Sequence, residues 1–223
     1  MKRIYLLLLA SMLIFVSCSP ESFPDNPFQQ HYIDMWANTL EPYEVDIAFY
    51  GDSRVAGADW SSAFPNKSVV NLGIGGDIVE GTIQRLPLLD ALDIKHCFLA
   101  IGGNNCLSSK FSSSDFKAKY DKLLGMLKDR GITVYANTIA GITSDCMGLK
   151  QKDVNRKNNN IITANSIIAG LCQKHGVILI DMAKLMNNND GSLKHEYSSD
   201  GVHFNDLGND LWFNELRPYI ESI

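Results

Sequence analysis

Residues 47–57 read IAFYGDSRVAG. Four side chains suited to burial, Ile47, Ala48, Phe49 and Tyr50, run into Gly51, and the chain then passes through Asp52 and Ser53. A short apolar run closed by a glycine reads as the end of a buried strand. A serine at that point has two readings. Its hydroxyl can cap the helix that follows by satisfying an orphan backbone N–H, or it can be held at the strand end as a nucleophile. Asp52 reads as a turn residue bonded to backbone rather than as a chemical group.

Working outward, the run from Val45 to Tyr50 has four counterparts: Ser68–Leu72, His96–Ile101, Thr133–Thr138 and Val177–Asp181. Helical patterns separate them, near 77–91, 115–130 and 154–175, with a last one near 206–221. Phe116, Tyr120, Leu123, Leu124 and Leu127 recur at helical spacing, and so do Ile161, Ile162, Ile167, Ile168 and Leu171. Both stripes read as core faces. Strands alternating with helices imply right-handed crossovers and a parallel sheet covered on both sides. The expected fold is therefore α/β, a three-layer α/β/α sandwich on a five-stranded parallel sheet. Such sheets bind ligands beyond the carboxyl ends of their strands. There is no internal repeat and no linker to a second domain.

The composition fits one core: 223 residues, 45% hydrophobic and 20% charged. The net charge of −5 gives no clustered basic surface, so nucleic acid is not expected as a partner. Lys2 and Arg3 precede an apolar run from Ile4 to Val16, then Ser17 and Cys18. That run has signal-peptide form and is shorter than the ~20 residues that span a bilayer. Its end resembles a bacterial lipoprotein signal, in which Cys18 is lipidated and becomes the mature N-terminus. Phe15 departs from the leucine common three positions before that cysteine. The other reading is an ordinary secretory signal with an incidental cysteine. The stretch SPESFPDNPFQQ after Cys18 reads as a tether. The expected organisation is a signal at 1–17, a tether at 18–30 and one domain at 31–223, exported and anchored to a membrane through Cys18. Cys97, Cys106, Cys146 and Cys172 remain, with connectivity open. Cys106 and Cys146 lie just beyond the third and fourth strands, where a disulfide would pin two loops in an oxidising compartment; the other reading is two free thiols.

Four places carry unusual punctuation: Gly51-Asp52-Ser53, Asn71-Leu72-Gly73-Ile74-Gly75-Gly76-Asp77, Gly102-Gly103-Asn104-Asn105 and Asp200-Gly201-Val202-His203. In a parallel sheet the first three converge on one edge. The second block invites a dinucleotide reading, but Ile78 stands where the fingerprint needs glycine, and Asp77 puts negative charge where a phosphate would approach.

Taken together, the blocks resemble the SGNH hydrolase family, also called GDSL esterases and lipases, over most of residues 45 to 221 and in the right order. The resemblance implies a flavodoxin-like sandwich, a nucleophile at Ser53, oxyanion donors at Ser53, Gly76 and Asn104, and an acid and base at Asp200 and His203. Arg54 replaces the leucine of the GDSL name, and Asn105 replaces a frequent aspartate. Neither change removes a catalytic atom.

The chemistry agrees with that assignment. A serine hydroxyl needs a base within hydrogen-bond reach, a task suited to histidine, and a carboxylate must orient the imidazole. Backbone N–H groups of Ser53 and Gly76, with the Asn104 amide, supply the donors that a tetrahedral intermediate requires. Bland readings stay beside these: Ser53 as a cap, Asn104 as a turn former, His203 as a surface histidine. His31, His96, His175 and His195 lack a partner pattern and read as structural or solvated. A metal on Asp200 and His203 lacks a third ligand, so no metal or cofactor is expected.

The expected activity is serine esterase chemistry on short acyl esters, O-acetyl groups on carbohydrates above all. The alternatives are a lysophospholipase or thioesterase of the same family, or a surface binding protein that kept the fold. The loop after the fourth strand, Ala140 to Asp153 (AGITSDCMGLKQKD), is mostly polar or small. It is expected to line a shallow, wet site that gives a long acyl tail little to bury against.

Overall fold

The five apolar runs form five strands: β1 (Ile47–Gly51), β2 (Val69–Gly73), β3 (His96–Ala100), β4 (Thr133–Asn137) and β5 (Ile178–Ile180). They pair in parallel, in the order β2-β1-β3-β4-β5. The computed structural model describes residues 45–146 and 148–223. The signal expected at 1–17, Cys18, the tether expected at 18–30 and His31 lie outside the described residues.

Strand alternation sorts the core into two halves. Ala48, Tyr50, Cys97, Leu99, Val134 and Ala136 face one layer of helices, where they meet Leu123, Leu127 and Ile168. Ile47, Phe49, Phe98, Tyr135 and Ile180 face the other, against Trp60, Trp212 and Leu216. Phe49 stacks on Trp60 with ring centroids 3.7 Å apart. Each buried Val, Leu, Ile or Phe among these contributes about 1.5–3 kcal/mol relative to exposure, and together they give the sandwich its three layers.

The helices are α1 (Ser53–Ala56), α2 (Trp60–Ala63), α3 (Val79–Gln84), α4 (Pro87–Ala91), α5 (Gly103–Leu107), α6 (Ser113–Asp129), α7 (Gln151–His175), α8 (Met182–Met186) and α9 (Asp206–Glu221), with a 3₁₀ turn at His195–Tyr197. The helix expected over 77–91 is two helices. Pro87, which cannot donate a backbone N–H, starts the second at its first position. The α6 stripe is buried as expected. On α7, Ile161, Ile168 and Leu171 are buried, but Ile162 is 44% exposed, so that stripe is narrower than its sequence implies. Cys97, Cys106, Cys146 and Cys172 are buried thiols, and the Cys106–Cys146 disulfide is not formed.

Register brings the site to one level. Gly51 pairs with Gly73 on one side and with Ala100 on the other. A β-carbon at position 51 would lie 2.0 Å from the Ala100 carbonyl oxygen, so only glycine permits this close approach. Strand order reverses between β1 and β3, the crevice where doubly wound sheets bind ligands. Ser53 leaves β1 and Asn104 follows β3, one on each side of that crevice.

Candidate active site

Ser53 is the first residue of α1, but the cap in front of it is Asp52, whose carboxylate accepts the Arg54 N–H at 3.0 Å. The capping role therefore belongs to Asp52. Ser53 keeps its hydroxyl for another partner, the His203 Nε2 at 2.9 Å. Burial pushes the Asp52 carboxyl up, against the pull of Arg54's charge and N–H. Asn71 holds α1 against β2: its amide donates to the carbonyls of Val55, Ala56 and Ala58, and its oxygen accepts from Gly73.

The histidine arrives on a loop with no strand or helix of its own, and one carboxylate organises it. Asp200 Oδ1 accepts the backbone N–H groups of Val202 and His203, each at 2.8 Å, and the Ser198 hydroxyl at 3.2 Å. Asp200 Oδ2 lies 2.7 Å from His203 Nδ1. With the proton on Nδ1, the lone pair of Nε2 faces Ser53. Partial burial pushes the Asp200 carboxyl up, but its hydrogen bonds from His203 and Val202 outweigh this and hold it at about 2. The His203 and Asp200 side chains are half-exposed, so the site opens to solvent.

The three residues expected to supply oxyanion donors follow the ends of β1, β2 and β3. The turn Ile74–Asp77 closes through an Asp77 N–H bond to the Ile74 carbonyl, with Gly76 at φ 74°, a left-handed conformation that favours glycine. Gly76 is exposed. The Asn104 amide donates one N–H to the Asp77 carbonyl at 2.8 Å, and its second N–H remains for a ligand. The N–H of Ser53, in the first turn of α1, has no acceptor within the helix.

Arg85 is a residue that sequence reasoning missed. It is fully buried with Asp77: Nη2 and the carboxylate are 2.8 Å apart, and both side chains are 0% exposed. Its other bonds go to the carbonyls of Leu72 and Gly51 at the ends of β2 and β1. Burial pushes the Asp77 carboxyl up, opposed by Arg85. Asp77, read in the sequence only as a charge unsuited to phosphate, thus anchors the turn that presents Gly76 and steadies Asn104. The signal for Arg85 in the sequence is thin: one cation in an apolar stretch, eight residues after an aspartate. Asn105 explains its own departure from aspartate. Its oxygen accepts the Val79 N–H and its amide donates to Glu80, a carboxylate that a second carboxylate would repel.

Beside Ser53 is a recess of about 20 Å³, with Leu107, Ile139, Ala140, Ile142, Ile161 and Val202 among its walls. That volume holds one group the size of a water or a methyl. The loop after β4 was expected to make a shallow, wet wall. Its first residues, Ala140 and Ile142, are instead buried and apolar, and from Gln151 it is already helix. Of the other histidines, His175 bonds to Asp121, while His195 contacts Ser144 and Asp145 on the surface. Among the described residues, no group of three or more His, Cys, Asp and Glu side chains is placed to hold a metal ion.

Comparison with known proteins agrees with this architecture. Residues 45–211 match the model of the GDSL-like Lipase/Acylhydrolase family. Among curated proteins, the chain is 24% identical over 180 residues to an N-acylneuraminate cytidylyltransferase of Streptococcus agalactiae serotype V, covering 81% of this chain and 40% of that protein. The chain thus spans less than half the length of the curated relatives it matches. A GDSL-like lipase from Bacteroides thetaiotaomicron superposes with a TM-score of 0.74 at 16% identity, covering 87% of this chain and 97% of that one. An acetyl xylan esterase does so with a TM-score of 0.65 at 19% identity, over 79% of this chain and all of the other (100%). At these identities the superpositions speak for a shared fold.

Proposed function

The chain belongs to the GDSL-like lipase/acylhydrolase family, and from that premise we propose that it is a serine esterase removing short acyl groups, acetyl above all, from carbohydrate hydroxyls. In this reading Ser53 Oγ attacks the ester carbonyl while its proton passes to His203 Nε2. The oxyanion is held by the N–H groups of Ser53 and Gly76 and by the Asn104 amide. The tetrahedral intermediate collapses, and the alcohol departs with the proton from His203. His203 then takes a proton from water as its oxygen attacks the acyl-enzyme; the Ser53 Oγ–acyl bond breaks, and His203 returns that proton to Ser53 Oγ as the acid departs. Asp200 keeps its charge throughout and steadies the imidazolium.

The observation that carries the acyl preference is the recess of about 20 Å³ beside Ser53. An acetyl methyl fits it, and a longer acyl tail has little apolar wall here to bury against, each unburied methylene forgoing up to about 0.8 kcal/mol. The sugar part of the proposal is supported by the half-exposed rim at Asp200 and His203. It is in keeping too with the name of a curated relative that acts on a sugar acid, the N-acylneuraminate cytidylyltransferase. A series of p-nitrophenyl esters at constant pH, kept below micelle-forming concentrations, tests the reading. kcat/KM is expected to peak at acetyl or propionyl and to fall through octanoyl. A peak at octanoyl or longer overturns it and favours a lysophospholipase or thioesterase.

A further inference from the structure

Arg54 follows Ser53 in the chain, yet its guanidinium bonds reach far from α1. Nε donates to the Val202 carbonyl at 2.9 Å, Nη1 to Ala140 at 2.7 Å and Nη2 to Gly141 at 2.8 Å. Its Cζ also lies 4.8 Å from the centroid of the Phe204 ring. Val202 and Phe204 are the two neighbours of His203. Ala140 is part of the wall of the recess beside Ser53. One side chain therefore grips both flanks of the histidine and the loop after β4, from a backbone position adjacent to the serine.

That placement answers a question left open by Asp200. The carboxylate fixes the His203 ring relative to its own loop, because the two residues are three apart on that loop. It does not fix the loop relative to α1. Apart from the His203–Ser53 contact itself, the loop is tied to the segment after β4, by the Thr143 N–H to the Gly201 carbonyl and the Cys146 Sγ to the Asp200 carbonyl, and to α9, where Phe204 packs edge-on against Trp212. Arg54 holds the segment after β4 too. Three carbonyls from two segments are met by one planar fork with five fixed donors, a geometry that lysine cannot reproduce and leucine lacks entirely.

We infer that Arg54 is a positioning residue: it sets the position of His203 against Ser53 by tying α1 to the carbonyls of Val202, Ala140 and Gly141. The inference rests on the esterase reading above. Since the transfer of a proton from Ser53 to Nε2 depends on their separation, a displacement of about 1 Å costs on the order of 100-fold in rate. Substrate binding in the ground state does not use that separation.

The test compares the full chain with Arg54→Lys and Arg54→Leu, using p-nitrophenyl acetate hydrolysis, labelling by a fluorophosphonate probe, and circular dichroism to count folded protein. Per folded molecule, Arg54→Leu is expected to lose roughly 100-fold in kcat and a matching factor in labelling rate, with KM nearly unchanged. Arg54→Lys, which can reach one carbonyl, recovers part of both. Variants with wild-type kcat per folded molecule overturn the inference, as does a loss confined to KM. If leucine prevents folding, the kcat and labelling rate of the lysine variant decide in the same way. A wild type that neither hydrolyses the ester nor labels overturns the esterase reading and the inference with it. An active wild type beside fully active variants overturns the inference alone.

Discussion

Asp200→Asn is expected to lower kcat about 10⁴-fold, the loss typical of replacing the orienting carboxylate of a serine–histidine pair by its amide. Oδ2 lies 2.7 Å from His203 Nδ1, and with the ring proton held on Nδ1 by this hydrogen bond the Nε2 lone pair faces Ser53. An asparagine that turns its NH₂ toward Nδ1 puts the ring proton on Nε2, where it cannot accept from the serine. The oxygen can still take the Val202 and His203 N–H bonds, so the loop should keep its shape. Stability provides a second readout with a definite sign. The Asp200 carboxyl is depressed from its ordinary 3.8 to about 2. Its contribution is therefore present above pH 3.8 and is lost as pH falls toward 2. The wild type should lose stability over that acid window more steeply than Asp200→Asn. Steady-state kinetics near neutrality and melting curves from pH 2 to 5 check both. A loss of less than tenfold in kcat would show that another group orients the imidazole.

Asn104→Ala is expected to lower kcat by roughly 100- to 1,000-fold with little change in KM, since an oxyanion donor matters most when charge develops on the carbonyl oxygen. In this reading its side chain is held from behind. Its amide bonds to the Asp77 carbonyl, and the Asp77 carboxylate is gripped by the buried Arg85. Removing the amide leaves the turn and the ion pair in place, so the effect should appear in the chemical step and not in folding. Burst or steady-state kinetics on p-nitrophenyl acetate, with a melting curve for control, make the measurement. A fall of only a few-fold would return Asn104 to the status of a turn residue.

Much of this was legible in the sequence, for physical reasons that also mark the limit. The strands are apolar runs ended by glycines or turn residues, and Gly51, closed in by the Ala100 carbonyl, is such an end. The blocks at Ser53, Gly76 and Asn104 sit at strand ends, so parallel topology alone brings them to one edge. Asp200 and His203 are close in sequence and needed no tertiary information to be paired. Helices of four or five residues, such as α1, α5 and α8, are too short to display a period. The break at Pro87 was visible as a proline, but helical residues on both sides of it disguised the boundary. Arg85 escaped, and Arg54 stood out only as a departure from leucine with its partners hidden, because both bond to backbone carbonyls. A carbonyl carries no residue identity, and the Arg54 partner Val202 lies 148 positions away. The character of the recess was misread for a related reason: its apolar walls come from α5, the β4 loop and α7 together, while the sequence offered the polar end of one loop.

Intact-mass analysis after treatment with a fluorophosphonate probe tests the assignment of Ser53 as the nucleophile. Such a probe reacts with a serine that has both a base and oxyanion donors. The wild type is predicted to gain the mass of a single adduct, mapped by peptide sequencing to Ser53, while Ser53→Ala gains none and loses ester hydrolysis. Labelling and hydrolysis that persist in Ser53→Ala, or a folded wild type that is never labelled, would contradict the account.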